Sequence, residues 1–285
     1  MTVTNSLTTH KKSTFSTFMT SDAVKNKINQ MIAGKDGGKF ITSLISLVSN
    51  NPELAKCEHS TILASALLGE SLKLSPSPQL GQFFLVPFKD NKNGRIVAQF
   101  QLGYKGYIQL AIRSGYYKKL NVLAIKEGEL INYNPLDESL EVKLVDDEEK
   151  RENSNTIGYF AMFEYQNGFT KTLYWSKEKM QAHARKYSQA YRSDLNKSTK
   201  YSFWSKDFDG MGFKTMLRQL ISKWGIMSVN FQTALTNDMA VIRDNEQPEY
   251  VDNVEESDII EADVTVIEPD TSENNNNDPF DDFEE

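Results

Sequence analysis

From Gln82 onward the spacing of apolar residues changes period twice, and that change commits the chain to a mixed fold. Phe84, Val86 and Phe88 alternate, the turn residues Asp90 to Gly94 follow, and Ile96, Ala98 and Phe100 alternate again. Side chains two apart share one face of a strand, so this pattern predicts a β-hairpin. Gly103 to Ser114 then takes helical spacing, with Ile108, Ala111 and Ile112 apolar and Gly115 at the helix-stop position. Further strands are expected at Leu120 to Ile125, Glu129 to Tyr133 and Leu140 to Val145, with a second hairpin of Ile157 to Tyr165 and Thr170 to Trp175 around Asn167 and Gly168. Helices are expected at Ser21 to Ile32, with Ser21 as N-cap, at Lys39 to Val48, and at His59 to Leu74. Beyond the second hairpin come a basic helix from Ser176 to about Tyr191, the amphipathic segment Lys206 to Trp224, and Thr233 to Arg243. Asp146 to Arg151 reads as a solvated loop. The fold class is α+β: a β-hairpin and small antiparallel sheet packed with helices.

Charge is divided along the chain. Residues 244 to 285 hold 17 acids and no Lys or Arg, so the net charge of −7 conceals a body of 32 bases against 22 acids, a net +10. Within that body, Asn91 to Lys126 runs for 36 residues without an acid, carrying Lys92, Arg95, Lys105, Arg113, Lys118, Lys119 and Lys126 among Tyr104, Tyr107, Tyr116 and Tyr117. A second block, Lys179 to Lys206, has seven basic residues, one acid (Asp194), and Tyr187, Tyr191, Tyr201, Phe203 and Trp204. Phosphates attract Lys and Arg and repel carboxylates, while unpaired bases stack on aromatic rings, so both blocks point to a single-stranded nucleic acid. The tail is low in complexity and too polar to fold, and its acids are expected to compete with phosphates for the basic body. Its end, Asp278, Pro279, Phe280, Asp281, Asp282 and Phe283, alternates acid and aromatic much as the acidic tips of bacterial single-strand-binding proteins do.

Other chemistry is poorly supported. Cys57 is the one cysteine and the histidines number three, which leaves no disulfide and no zinc site. Ala33 to Lys39 superficially resembles a phosphate-binding loop, but Ala33 stands where the first glycine belongs and Phe40 where a hydroxyl would hold magnesium. Gly103 and Gly106 make a Gly-x-x-Gly, as in KH domains, without the flanking pattern of that fold. Asp137, Glu141 and Lys143 imitate a nuclease constellation, but Asp137 stands too near Glu141 in sequence for the usual two-strand arrangement. Residues 1–20 read as a flexible leader and 21–243 as one DNA-binding domain, with 244–285 as the disordered acidic tail. No apolar run approaches a membrane span, and the compartment implied is reducing and cytoplasmic.

The run Phe100, Gln101, Leu102, Gly103, Tyr104, Lys105, Gly106, Tyr107, Ile108, Gln109, Leu110, Ala111, with Arg113, Ser114 and Gly115, resembles the central motif of the RecT family of phage single-strand annealing proteins. Trp204, Asp209, Met211, Lys214, Thr215, Arg218, Leu220, Lys223 and Ser228 match a second block of that family, and Gly69 to Phe88 fits upstream. The resemblance covers about residues 20 to 243; Trp224, Gly225 and Ile226 depart from it where members often place a proline. It implies an annealing-protein-like core that assembles into helical filaments or rings on DNA and pairs complementary strands without ATP. It further implies partnership with a phage 5′-to-3′ exonuclease and the host single-strand-binding protein.

Because base pairing itself carries the sequence information, phosphate contacts suffice. Lys105 and Arg113 are expected to supply them from the first block, and Lys206, Lys214, Arg218 and Lys223 from the second, with Lys118 and Lys119 as further candidates. Lys214 and Arg218, one helical turn apart, would stand about 6 Å from each other on one face. Gln101 and Tyr104 are candidates for sugar or base contact; Tyr107, Tyr116 and Trp204 are left open between interface and core. No cofactor is expected, magnesium acting at most as a modulator of DNA binding, and the protein is not expected to be an enzyme. The rival readings are a metal-dependent DNA nuclease and a passive single-strand-binding protein.

Overall fold

The structure is a computed structural model that describes residues 14–32, 36–90, 93–243 and 248–250. The chain divides into two units, Met1–Asp252 and Asn253–Glu285, and every described residue belongs to the first. The helices α1 (Phe15–Met19), α2 (Asp22–Met31), α3 (Asp36–Ser49) and α4 (His59–Ser71) precede the hairpin β1 (Phe83–Asp90) and β2 (Arg95–Leu102). The two strands pair antiparallel from Phe83 opposite Leu102 to Asp90 opposite Arg95. α5 (Tyr104–Ser114) follows directly, ending at Gly115 with φ 74°. A second sheet has the order β3-β6-β7, from β3 (Tyr117–Lys126), β6 (Thr156–Tyr165) and β7 (Thr170–Ser176). The small hairpin β4 (Leu130–Asn134) and β5 (Ser139–Val142) and the helix α6 (Glu148–Asn153) are inserted between β3 and β6. The chain continues through α7 (Lys177–Tyr187), α8 (Gln189–Lys197), α9 (Phe203–Lys206), α10 (Phe208–Trp224) and α11 (Val229–Thr236) to β8 (Ala240–Val241), which pairs with β2.

Two apolar clusters hold these elements, and α10 serves both. Leu217 and Ile221 join the cluster of α1 to α5, the first sheet and α11, where Phe83, Phe100, Tyr107 and Phe231 are fully buried. Met216 and Leu220 join a second cluster with Tyr159, Ala161, Phe163, Met180 and Trp204 against the second sheet. A helix with buried residues on successive positions must be covered on two sides, which is why α10 ends up between α5 and the second sheet. Its placement brings the two basic blocks of the sequence toward each other.

The mixed α+β architecture with small antiparallel sheets is as the spacing predicts, and several boundaries are not. Residues 14–19 belong to the folded body: Phe15 and Met19 are buried, and both Phe15 and Phe18 lie against the His59 ring at 5.3 and 5.4 Å. The spacing Phe15, Phe18, Met19 is that of one helical face, hidden in a Ser/Thr-rich context. Ser21 does not cap α2 with its side chain, because its hydroxyl donates backward to the Phe18 carbonyl. The expected loop at 146–151 runs into α6, and its Arg151 closes over the fully buried Glu129 at 2.6 Å. The basic helix breaks at Ser188, whose hydroxyl accepts from the Tyr191 amide and starts α8. α10 begins at Phe208, capped by Asp207, so Lys206 terminates the preceding turn. The last helix stops at Thr236, and residues 240–241 are a strand. The apparent phosphate loop lies partly outside the described residues; from Asp36 onward it is the first turn of α3.

The acidic tail also begins later than its charge suggests. The Glu249 backbone exchanges two hydrogen bonds with Val241, at 2.8 and 3.1 Å, and its carboxylate pairs with Arg243 at 3.2 Å. A chain shortened to Tyr250 should therefore unfold in denaturant like the full chain, whereas one shortened to Arg243 should lose about 1–3 kcal/mol, the net worth of two strand hydrogen bonds and a half-exposed ion pair. Equal midpoints for the two would place Glu249 outside the fold.

Candidate nucleic-acid interface

The glycines of the Gly-x-x-Gly set the geometry here. A Cβ on Gly103 would meet the Gly81 carbonyl oxygen at 2.1 Å, and one on Gly106 would meet that of Gln82 at the same distance. The first turn of α5 therefore lies directly on the backbone that leads into β1, and the Gly103 amide donates to Gln82 O at 2.9 Å. No acid stands in that turn and Gly103 offers no side-chain cap.

Above it opens a cleft of about 230 Å³. One wall is Gly81, Phe84 and the segment Gln101 to Lys105; the other is Phe203 with Asp207, Gly210, Met211 and Lys214. The Phe84 and Phe203 rings meet across it at 5.7 Å, and the Tyr104 ring lies edge-on to Phe213 at 5.5 Å. Lys105 is exposed, its ammonium 6.0 Å from the Tyr104 ring centre. Gln101 is buried, its amide donating to the Gln99 side chain at 3.2 Å. The one carboxylate lining the cleft, Asp207, accepts the Gly210 amide.

Beneath the floor lies Asp238, in the turn before β8 and 1% exposed. One carboxylate oxygen accepts from the Leu102 amide at 2.8 Å and the Lys214 ammonium at 2.9 Å. The other accepts from the Tyr107 hydroxyl at 3.2 Å and the Arg218 guanidinium at 3.0 Å. Burial, then the charge of Asp238, raises the Tyr107 hydroxyl well above its ordinary pKa, so it stays a donor. Asp238 thereby ties β2, α5 and α10 to one point.

Of the sequence-derived candidates, Gln101, Tyr104, Lys105 and Lys214 line this cleft. Lys206 is exposed beside Asp207. Lys214 and Arg218, expected to project from one face as phosphate contacts, converge on Asp238, and Lys214 is 6% exposed. Arg113 stands about 12 Å farther along α5, donating to the Lys73 and Gln109 carbonyls. Lys118 and Lys119 both pair with Glu164, at 2.5 and 3.0 Å, which neighbouring strand residues manage because the register shifts between Tyr117 and Lys119. Lys223 lies nine residues beyond Lys214, half a turn around α10, in a different recess. Tyr107 and Trp204 are core residues; Tyr116 is half exposed. Asp137 accepts from the amide and hydroxyl of Ser139 in the turn between β4 and β5, and neither it nor Glu141 nor Lys143 lines the cleft.

Sequence reasoning missed Phe84, Asp238 and the role of Asp194. Asp194, the lone acid of the second block, is buried and accepts from the Thr199 hydroxyl (2.6 Å), the Tyr201 and Ser202 amides (3.1 and 2.8 Å) and the Ser205 hydroxyl (2.7 Å). It fastens the segment that delivers Phe203 to the cleft. Asp194 is the lone acid of a basic block, which is the signal that could have found it; Asp238 has no basic residue between Lys223 and Arg243 and carries no such signal.

The fold is α+β, and one cleft is lined by Gln101, Tyr104 and Lys105 of the first basic block and Phe203 of the second. The chain belongs to the RecT family, whose sequence model matches residues 38–259. It is 40% identical over 240 residues to the uncharacterized protein YqaK of Bacillus subtilis (strain 168), covering 84% of this chain and 75% of that protein. It is 26% identical over 219 residues to Protein RecT of Escherichia coli (strain K12), covering 76% and 74%. Membership assigns the chain to DNA binding and single-strand annealing in recombination. No helix among the described residues is long and apolar enough to cross a membrane.

Removing the central carboxylate should be costly. Asp238→Ala removes a buried carboxylate that four donors share, Lys214 and Arg218 among them, and should lower unfolding free energy by about 3–5 kcal/mol, read by denaturant titration. A loss below 1 kcal/mol would show that water already compensates Lys214 and Arg218.

Asp194 makes an acid-side prediction. Burial pushes its pKa up, but the hydrogen bonds from Thr199, Ser202 and Ser205 outweigh it and hold the carboxyl below its ordinary range. A depressed folded value means the contribution is complete above the unfolded value of about 4 and disappears as pH falls below it. Asp194→Asn should be less stable than the parent at neutral pH, and the gap should narrow as the pH falls below about 4. A gap that stays constant with pH would contradict this.

Proposed function

We propose that the cleft holds a single DNA strand and that the protein anneals a complementary strand to it without ATP. The observation that carries this reading is a convergence in the cleft: Gln101, Tyr104 and Lys105 from the first block face Phe203 from the second and Lys214 from α10, with Lys206 beside them. Aromatic walls accept any base, and cations at the rim meet any backbone, so the site suits a strand whose sequence is read by pairing and not by the protein. The protein acts as an oligomer along DNA, as a binding protein without covalent chemistry or cofactor. It works beside a 5′-to-3′ exonuclease and a single-strand-binding protein, in the cytoplasm. Magnesium modulates DNA binding, and the acidic tail competes for the basic rim.

The test is pairing of labelled complementary oligonucleotides. The protein should accelerate it without nucleotide, and ATP should add nothing at constant free magnesium. Lys105→Ala with Lys206→Ala should weaken single-strand binding for all sequences alike and reduce the salt slope by about 1.4 units, two contacts at roughly 0.7 each. Pairing no faster than the protein-free control, with strands still bound, would make this a passive single-strand-binding protein; shortened strands in magnesium would make it a nuclease.

A further inference from the structure

On the side of α10 turned away from the cleft is a second recess, of about 340 Å³. Lys171, Lys179, Lys223, Trp175 and Trp224 line it, with Glu138 as the one acid. Lys171 pairs with Glu138 and places its ammonium 3.7 Å from the Trp224 ring centre. Lys179 stands 4.6 Å from that of Trp175. Trp224 is 51% exposed, an unusual amount for an indole, and among the described residues neither Lys179 nor Lys223 forms an ion pair. None of these residues lines the first cleft.

We propose that this recess is a second strand-binding surface, in which an unpaired base stacks on Trp224 while Lys179 and Lys223 meet the flanking phosphates. This rests on the strand-binding reading of the first cleft. Three cations against one carboxylate give the recess the sign of a phosphate partner, and a half-exposed indole among them supplies a face that any base can use. A second copy docking through the same surface would set like charges against each other, which disfavours that occupant. Because α10 separates the two recesses, a strand in one leaves the other accessible. A long oligonucleotide, or a second strand, can therefore occupy both.

The experiment uses the full chain carrying Trp175→Phe, so that Trp224 is the exposed tryptophan and Trp204 stays buried. Oligo-thymidylates of about six and about thirty nucleotides are titrated, spanning the range from one site to several. The longer one should quench Trp224 emission, and Trp224→Phe should abolish the quench. In the parent chain, Lys179→Ala with Trp224→Ala should weaken binding of the long oligonucleotide and lower its salt slope by about 0.7, leaving the short one unchanged. Lys105→Ala should weaken both. Lys105-dependent binding with unquenched Trp224, or a quench without loss of affinity in the double variant, overturns the second surface and leaves the cleft standing. Failure of both oligonucleotides to bind removes the strand-binding reading itself. Trp224 emission that shifts with protein concentration in DNA-free buffer overturns the proposal in favour of contact between copies.

Discussion

A single buried carboxylate organises the interface. An isolated charge with the exposure of Asp238 would be strongly unfavourable, and it is tolerated because four donors close on its two oxygens. Those donors come from the end of β2, from α5 and from two successive turns of α10, so satisfying one side chain fixes the angle between the hairpin and the central helix. The cleft exists only at that angle. The carboxylate also sets the charge of the floor, because Lys214 and Arg218 carry two positive charges against its one. Within this trio the charges sum to +1. Structural pairing and attraction for phosphate are thus compatible in these two residues.

The close glycine contacts complement that arrangement. With Gly103 and Gly106 in backbone contact with Gly81 and Gln82, the first turn of α5 cannot slide along β1 without steric clash. The helix terminus, Lys105 and Tyr104 are consequently placed by the main chain and not by flexible side-chain packing. The Gly-x-x-Gly here is a packing device between a helix and a strand, and its likeness to a backbone-clamping loop is one of spelling.

Local periodicity made the hairpin, α5 and the second sheet readable, since each depends on residues two to four apart. The basic blocks were readable for a similar reason, because exclusion of acids is visible in one dimension. What stayed hidden depends on long-range satisfaction. Asp238 lies 136 residues from the Leu102 amide it accepts and 131 from the Tyr107 hydroxyl. Lys214 and Arg218 were readable as a pair but not as a pair already facing an acid, and β8 is too short to show a period. Phe15 and Met19 were obscured by composition, and Glu249 by the acidity of the segment after it. In both cases a few anchoring side chains overrule the character of their neighbours.

A strand-pairing protein has to hold one strand firmly enough to present it and loosely enough to let the duplex leave. Fixed charges at the rim meet this requirement better than shape-matched base contacts, since phosphate contacts contribute equally for every sequence and weaken smoothly with salt. In this chain the rim cations Lys105 and Lys206 are exposed, while the buried cation Lys214 is held in place by Asp238. On the proposed reading the floor need not reorganise when a strand binds, and most of the conformational adjustment falls on side chains that are already in water. On the proposed strand-binding reading, that division leaves the base edges free for a second strand, because among the described residues lining the cleft Gln101 alone has a side-chain amide bonded to a buried partner.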